Sequence, residues 1–204
     1  MLSQNNNPHV QIVPLSPETL EAAVTLIEKT FPDLISLPTE NPRAELEEAL
    51  WPGSHVKELA LIGIRELRYW VAVHDQKVVG VTGLSLRVDD YDEAVWGGWT
   101  VYAEEERKGL ARARYMLLQT MALALLATGR KYLRIDTDTN PISRAANKFY
   151  DRIACVVYKT EDLGPGHYLK LYRQGETKTV VANFLNLVRH GSADAIPPMP
   201  DILP

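Results

Sequence analysis

The sequence has a single cysteine, Cys155, among its 204 residues. One thiol cannot form an intrachain disulfide or a multi-cysteine metal site, so nothing indicates an oxidising compartment, and we expect a cytoplasmic protein. The five histidines are isolated and show no metal-ligand spacing such as HxxxH or HExxH. We therefore predict that the protein binds no metal ion.

Long apolar runs and an excess of positive charge are also missing. No stretch reaches the roughly 18 to 20 uninterrupted apolar residues of a membrane span, and the first ten residues lack the basic start and apolar core of a secretory signal. The 22 basic residues are outnumbered by 26 acidic ones, which gives a net charge of -4. We expect neither a nucleic acid nor a membrane as partner, but something smaller.

The composition that remains is globular, with 46% hydrophobic and 24% charged residues, and the patterning predicts both helices and strands. Ser16-Pro17 and Asn41-Pro42 each offer a capping side chain followed by proline, which predicts two helix starts. Apolar spacing over residues 55–67 favours a further helix. The element order is strand, helices, three strands, helix, strand, helix and two strands. This order predicts an α/β fold in which helices pack on the faces of a mixed sheet.

The middle of the chain carries the clearest patterns. From Tyr69, two valine-rich strands flank turn residues 74–76 and predict a hairpin, and residues 94–102 predict the next strand. Residues 115–127 are apolar on nearly every side, which is typical of a buried central helix, and Gly129 ends it.

The C-terminal stretch differs from the rest. We divide the chain into a domain over 1–173 and an appendage over 174–204, in which Val181, Phe184 and Val188 would line a short helix before a proline-rich end. The appendage would dock on the body or on a second subunit of a homodimer.

The most informative segment for function is WTVYAEEERKGLARAR, residues 99–114. A strand there runs through an acidic turn directly into the buried helix. A helix N-terminus has unpaired backbone N–H groups and a partial positive charge, and the small residues Gly109 and Ala111 would let phosphates approach that backbone. The segment predicts a pyrophosphate cradle, although glycine at a helix start is often turn chemistry alone. It is neither a Walker loop nor a dinucleotide fingerprint, because their glycine spacings are missing.

Two blocks of the sequence resemble the GNAT superfamily of N-acetyltransferases, which use acetyl-CoA. The first is similar to the family pattern Val-x-Pro-x-x-(Gln/Arg)-x-x-Gly-x-(Gly/Ala), with Ala103 in place of proline and Glu106 in place of glutamine or arginine. The second, residues 143–155, resembles Asn-x-x-Ala-x-x-(apolar)-Tyr-x-x-x-Gly-Phe and retains Ala146 and Tyr150. Three of its positions depart from the pattern: Ser143, Ala154 and Cys155.

The resemblance covers roughly residues 9–173 in element order and implies a mostly antiparallel sheet of about six to seven strands. It also implies that backbone groups near Val101 hold the acetyl and pantetheine portions of acetyl-CoA and that the amides of residues 107–111 hold the pyrophosphate. The implied cofactor-binding residues are Val101, Tyr102, Ala103, Arg107, Lys108, Gly109, Leu110, Ala111, Arg112, Ser143 and Ala146.

Transfer of an acetyl group to an amine needs two proton movements. An amine with a pKa of about 10 is only about 0.1% neutral at pH 7, so a base or a water relay must take a proton. Many family members carry a glutamate at position 95, where this chain has valine, and Glu93 is the candidate base because strand alternation places it on the same face. Tyr150, aligned with the family's tyrosine, is the candidate acid for the CoA thiolate, although a helix tyrosine is often only a packing residue.

Other residues near the proposed site have two interpretations each. The acidic run over 89–93 would form a rim that attracts a cationic amine, or it is ordinary solvated loop charge. Trp96 and Trp99 would line the acceptor pocket or fill the core. Cys155 aligns with a core aromatic residue, so we expect a small buried hydrophobe rather than a nucleophile.

The resemblance implies an acetyl-CoA-dependent N-acetyltransferase that acts by direct attack in a ternary complex, with a small-molecule or peptide amine as acceptor. A non-catalytic acyl-CoA-binding or interaction module on the same fold is the alternative, since Val95, Glu106 and Ser143 depart from the pattern at the working end. A larger acyl group would fit the same cradle. The sequence leaves the acceptor open.

Overall fold

The computed structural model describes residues 10–32, 40–60, 63–103 and 111–191. In these ranges the elements are β1 (Gln11–Pro14), α1 (Pro17–Thr30), α2 (Pro42–Leu50), α3 (Val56–Ala60), β2 (Ile64–His74), β3 (Lys77–Arg87), β4 (Ala94–Gly97), β5 (Val101–Tyr102), α4 (Ala111–Thr128), β6 (Tyr132–Asp138), α5 (Arg144–Arg152), β7 (Val156–Glu161), β8 (Lys170–Glu176) and α6 (Thr177–Gly191).

The strands form one mixed sheet in the order β1-β2-β3-β4-β6-β8-β7, and β5 pairs with β3 beside β4. The β4–β6 pair is parallel, and the other pairs of the described strands are antiparallel. This architecture confirms the α/β fold class with a mostly antiparallel sheet flanked by helices. The sheet has eight strands rather than six to seven, because the strand predicted over 94–102 is divided into β4 and β5.

Local chemistry accounts for the element boundaries. The Asn41 side chain accepts a hydrogen bond from the backbone N–H of Ala44 at 3.0 Å and caps α2, as the sequence predicted. Asp75 and Gln76 have φ values of 47° and 65°, which is the geometry of the two-residue turn that suits a twisted hairpin. Gly129, at φ 67°, ends α4.

The helix predicted over 55–67 is wrong in its second half. Helix α3 ends at Ala60, and Gly63 takes a positive φ of 71° before the chain enters β2. Ile64 and Leu67 pair with Arg87 and Ser85 of β3 instead of lying on a helix. Cross-strand pairing decided the conformation there, since a short segment with mixed spacing has no strong local preference.

The helices cover both faces of the sheet. Residues of α1 and α2, such as Ile27 and Leu46, pack with Val71 of β2 in one apolar cluster. Helices α4 and α6 pack against each other on the opposite face, where Leu125 and Phe184 share a cluster with β6. Among the described helices, none has both the length and the apolar character needed to cross a membrane.

Candidate functional site

The sheet opens between β4–β5 and β6. Strand β4 pairs with β6 from Ala94 to Trp96, whereas β5 pairs with β3 and not with β6. Between β4 and β5, the backbone N–H of Gly98 still donates to Gly83 of β3 at 2.7 Å. The chain therefore continues along β3 while its separation from β6 widens.

A cleft of about 1620 Å³ occupies this opening. It extends from the end of α1 and the start of α2, through the split in the sheet, to α5 and the loop between β7 and β8. Its lining includes the following residues: Phe31, Glu40, Glu45, Trp99, Tyr102, Ala103, Asp136, Ser143, Ala146, Tyr150, Lys170 and Tyr172. A cleft of this size at a break in a sheet is a common position for a ligand site.

The cofactor-binding residues predicted at β5 and around the start of α5 lie in this cleft. Val101, Tyr102, Ala103, Ser143 and Ala146 all contribute to its lining. The Ala103 N–H donates to Val79 of β3 at 3.0 Å, and in an antiparallel ladder the intervening residue points its backbone groups the other way. The N–H and C=O of Tyr102 therefore face the split.

The structure describes only some of the other residues of the predicted pyrophosphate cradle. Arg107, Lys108, Gly109 and Leu110 lie outside the described residues. Ala111 and Arg112 are the first two residues of α4. The role of these residues stays a prediction.

Helix α5 is fixed to the sheet by Arg173 of β8, which is only 4% exposed. Its guanidinium donates to Asn147 Oδ1 at 3.1 Å and to Asp151 Oδ1 at 2.7 Å. The Asn147 amide also donates to the backbone carbonyl of Asp138 at 2.8 Å, which ties α5 to the end of β6. Charge-assisted bonds of this kind hold the helix in one orientation. Ala146 and Tyr150, one turn apart, both contribute to the cleft lining.

Tyr150 is partly buried, and its ring packs against Phe149 with the centroids 5.7 Å apart. Burial raises the pKa of its hydroxyl well above the ordinary value. The hydroxyl therefore stays protonated at neutral pH and can act as a hydrogen-bond donor.

The structure does not bring Glu93 into the cleft lining. Its side chain is 55% exposed and lies 3.8 Å from the Arg134 guanidinium. Asp90 of the same acidic run pairs with Arg134 and accepts from the Trp96 indole N–H at 2.8 Å, so it has a structural role.

Of the two tryptophans predicted to line the acceptor pocket or to fill the core, Trp96 lies in the core and Trp99 lines the cleft. Trp96 is 6% exposed, and its ring packs edge-on against Tyr172 beneath the Arg87 guanidinium. Trp99 lines the cleft, where its ring lies 5.6 Å from that of Phe31. Trp96 therefore belongs to the packed sheet, and Trp99 to the site.

Glu45 is the main site residue that sequence reasoning missed. The residue is 7% exposed and lines the cleft. It accepts from the Tyr69 hydroxyl at 2.9 Å and from the Trp99 indole N–H at 3.2 Å. Burial raises the pKa of Glu45 to about 7. A signal was present in the sequence, because Glu45 lies one turn from Pro42 and from Ala49 on the face that carries Leu46, where an apolar residue is expected.

An ionic cluster was also missed, because its members are far apart in sequence. The Lys170 ammonium lies 3.2 Å from both Glu40 Oε1 and Asp136 Oδ2, and Arg87 lies 3.8 Å from the same Asp136 oxygen. Burial alone would lower the pKa of Lys170, but the charges of Asp136 and Glu40 outweigh it and raise the pKa. The cluster joins the segment before α2 to β3, β6 and β8.

Cys155 lies in the core, as expected for a small buried hydrophobe. Its side chain is 0% exposed, and burial raises the pKa of its thiol to about 12. It is not part of the cleft lining. Within the described ranges, no three His, Cys, Asp or Glu side chains gather as a metal site requires.

Several solved structures share this fold. Ard1 from Thermoplasma volcanium superposes with a TM-score of 0.61 at 13% identity, covering 82% of this chain and 97% of the other. An N-acetyltransferase from Staphylococcus aureus Mu50 superposes with a TM-score of 0.57 at 16% identity, covering 83% and 99%. The protein yncA from Salmonella typhimurium, solved with its cofactor acetyl-CoA, gives 0.57 at 14% identity, covering 82% and 94%. At these identities the similarity shows the fold alone.

The family itself is shown by sequence. The chain matches no curated protein. The family model for the acetyltransferase (GNAT) family matches residues 31–154, which is more than half of the sequence and includes most of the residues that line the cleft. The chain therefore belongs to the acetyltransferase (GNAT) family.

Proposed function

We propose that the protein moves an acetyl group from acetyl-CoA to a primary amine by direct attack in a ternary complex. The observation that carries the proposal is the split between β5 and β6, which forms part of a cleft lined at one end by α5 and at the other by α2. Two substrates can enter such a cleft from different ends and meet at the split. No covalent intermediate is needed, and the chain's only cysteine is buried outside the cleft lining.

The α5 end suits acetyl-CoA. Backbone groups near Val101 to Ala103 would hold the extended pantetheine arm. Ser143, just before α5, and Ala146 on α5 would contact it from the other side. The pyrophosphate would reach the start of α4, where Ala111 and Arg112 lie. The small side chain of Ala146 leaves room for close approach to the helix.

The α2 end suits a cationic amine of a small molecule or peptide. Phe31, Trp99 and Tyr172 provide aromatic surface, and Glu40 and Asp136 provide negative charge partly offset by Lys170. Aromatic faces and carboxylates both attract an ammonium group. A small-molecule or peptide amine can use these features equally well.

Tyr150 would assist the departure of CoA. As the amine nitrogen bonds to the carbonyl carbon, the C–S bond breaks and the sulfur takes the electron pair as a thiolate. The protonated Tyr150 hydroxyl would donate its proton to that sulfur. The nitrogen, which lost one ammonium proton before attack, then loses its second proton, and this restores the Tyr150 hydroxyl through solvent. The net products are the amide, CoA thiol and one proton.

The test follows free thiol when the protein meets acetyl-CoA and a panel of amines. We expect Tyr150→Phe to retain acetyl-CoA binding in calorimetry and to lower kcat by about ten- to a thousandfold, as is usual for loss of an acid catalyst. The matched control is Tyr91→Phe, since the Tyr91 hydroxyl bonds Glu66 outside the cleft. Normal turnover by Tyr150→Phe would remove Tyr150 from the mechanism. Binding without thiol release across the panel would favour the non-catalytic alternative.

A further inference from the structure

Glu45 is held differently from the ion-paired carboxylates Glu40, Asp136 and Asp151 of the cleft. Glu40 and Asp136 share the Lys170 ammonium at 3.2 Å, and Asp151 pairs with Arg173 at 2.7 Å. The hydrogen bonds to Glu45, by contrast, come from two neutral donors, the Tyr69 hydroxyl and the Trp99 indole. Neutral donors fix a carboxylate in place without neutralising its charge, so Glu45 remains available to a new cation.

The two donors also tie Glu45 to the chain beside the split in the sheet. Oε2 accepts from Tyr69 and Oε1 accepts from Trp99, so each oxygen keeps a second lone pair. The Tyr69 hydroxyl in turn accepts from the backbone N–H of Trp99 at 3.3 Å. Trp99 follows Gly98 at the point where the strand leaves β6. The carboxylate is therefore fixed relative to the backbone at which the thioester would lie.

We propose that Glu45 is the proton acceptor for the amine substrate, a role that rests on the proposed acetyl transfer. The Glu45 carboxylate removes one proton from the acceptor ammonium, and the freed nitrogen lone pair forms the C–N bond. The carboxyl group then returns the proton to solvent when product leaves. This places the base on α2, which approaches the split from the acceptor end, and not on the strand where Glu93 was expected.

The environment supports a base that works near neutral pH. Burial raises the pKa of Glu45 to about 7, and the hydrogen bond from Tyr69 offsets part of this. The charged or titratable groups that face it are Glu40 before α2, Tyr69 on β2 and Arg87 on β3. Glu40 raises the pKa further, and Arg87 lowers it. Proton-transfer groups are most effective when their pKa lies near the working pH.

The experiment compares two kinds of acceptor in the wild type and in Glu45→Gln. An alkylamine is protonated at pH 7 and must lose that proton before attack, whereas an arylamine of similar size is already neutral. We expect Glu45→Gln to lower kcat/KM for the alkylamine by about a hundred- to ten-thousandfold and for the arylamine by less than about tenfold. Glu28→Gln, the same change at an exposed position of α1, should match the wild type for both.

A measurement on the wild type alone keeps the proposal testable if Glu45→Gln does not fold. With the alkylamine, kcat/KM should rise through an apparent pKa near 7, and with the arylamine this dependence should be much weaker. Equal losses with both amines, or unchanged rates in Glu45→Gln, would overturn the role of Glu45. Failure of the wild type to release thiol with any amine would instead overturn the proposed function.

Discussion

The burial of Glu45 predicts an unusual dependence of folding stability on pH. Its carboxyl group lies 7% exposed between Tyr69 and Trp99, and burial raises its pKa from 4.5 to about 7. In the unfolded chain the same group is solvated and has its ordinary pKa. Between these two values, the folded protein keeps a proton that the unfolded chain has released.

The sign and size of the effect follow from this difference. Stability contributed by a raised carboxyl pKa is present below about pH 4.5 and is lost as the pH rises through about 7. Each pH unit in that window costs about 1.4 kcal/mol, so the loss between pH 5 and pH 8 is about 2 to 3 kcal/mol. Glu45→Gln has no such proton to lose and should escape this decline.

The assay is urea unfolding of the wild type and of Glu45→Gln at pH 5 and pH 8. Other titrating groups cancel in the difference between the two proteins, so the free energy of unfolding of the wild type relative to the variant should fall by about 2 to 3 kcal/mol. Glu28→Gln should track the wild type at both values, because Glu28 is exposed. A difference that stays constant within about 0.5 kcal/mol would show that Glu45 has an ordinary pKa, and the burial argument would fail.

Two further predictions concern neighbouring packing. Gly98→Ala should lower acetyl transfer strongly, because the new Cβ would lie 2.6 Å from the Tyr69 hydroxyl that holds Glu45. In Gly97→Ala the new Cβ meets nothing closer than 3.4 Å, so this control variant should keep its activity. Equal activity of the two variants would contradict the predicted clash with Tyr69. Cys155 should resist thiol reagents in the native protein and react only after unfolding, because it is fully buried and the pKa of its thiol is raised to about 12. Labelling can be monitored by absorbance. Fast labelling of the native protein would contradict the buried position of Cys155.

Much of the fold could be predicted from the sequence, because many of its features are set by adjacent residues. The cap signal at Asn41, the hairpin turn before Lys77 and the stop at Gly129 all lie where the sequence predicted them. These features depend on a few adjacent residues. The segment over 55–67 was predicted wrongly because its conformation depends on pairing with β3, which lies some 20 residues further along the chain.

The sequence predicted only those residues of the candidate site that lie in contiguous blocks of the chain. Val101 to Ala103 and the helix with Ala146 and Tyr150 were found in this way, and they line one cleft. Glu93 was proposed as the base because it is near the matched block in sequence. The structure gives its carboxylate an exposed position beside Arg134.

The sequence by itself determined the α/β class, the helix caps, the hairpin and the two blocks that resemble the GNAT family. Each of these features depends on residues that are close together along the chain. Only the tertiary structure decided which acidic groups reach the cleft. Lys170 meets Glu40 across 130 positions, and Glu45 meets Trp99 across 54. Burial and charge, which set the pKa of a carboxyl group, depend on such distant neighbours, and no local pattern records them.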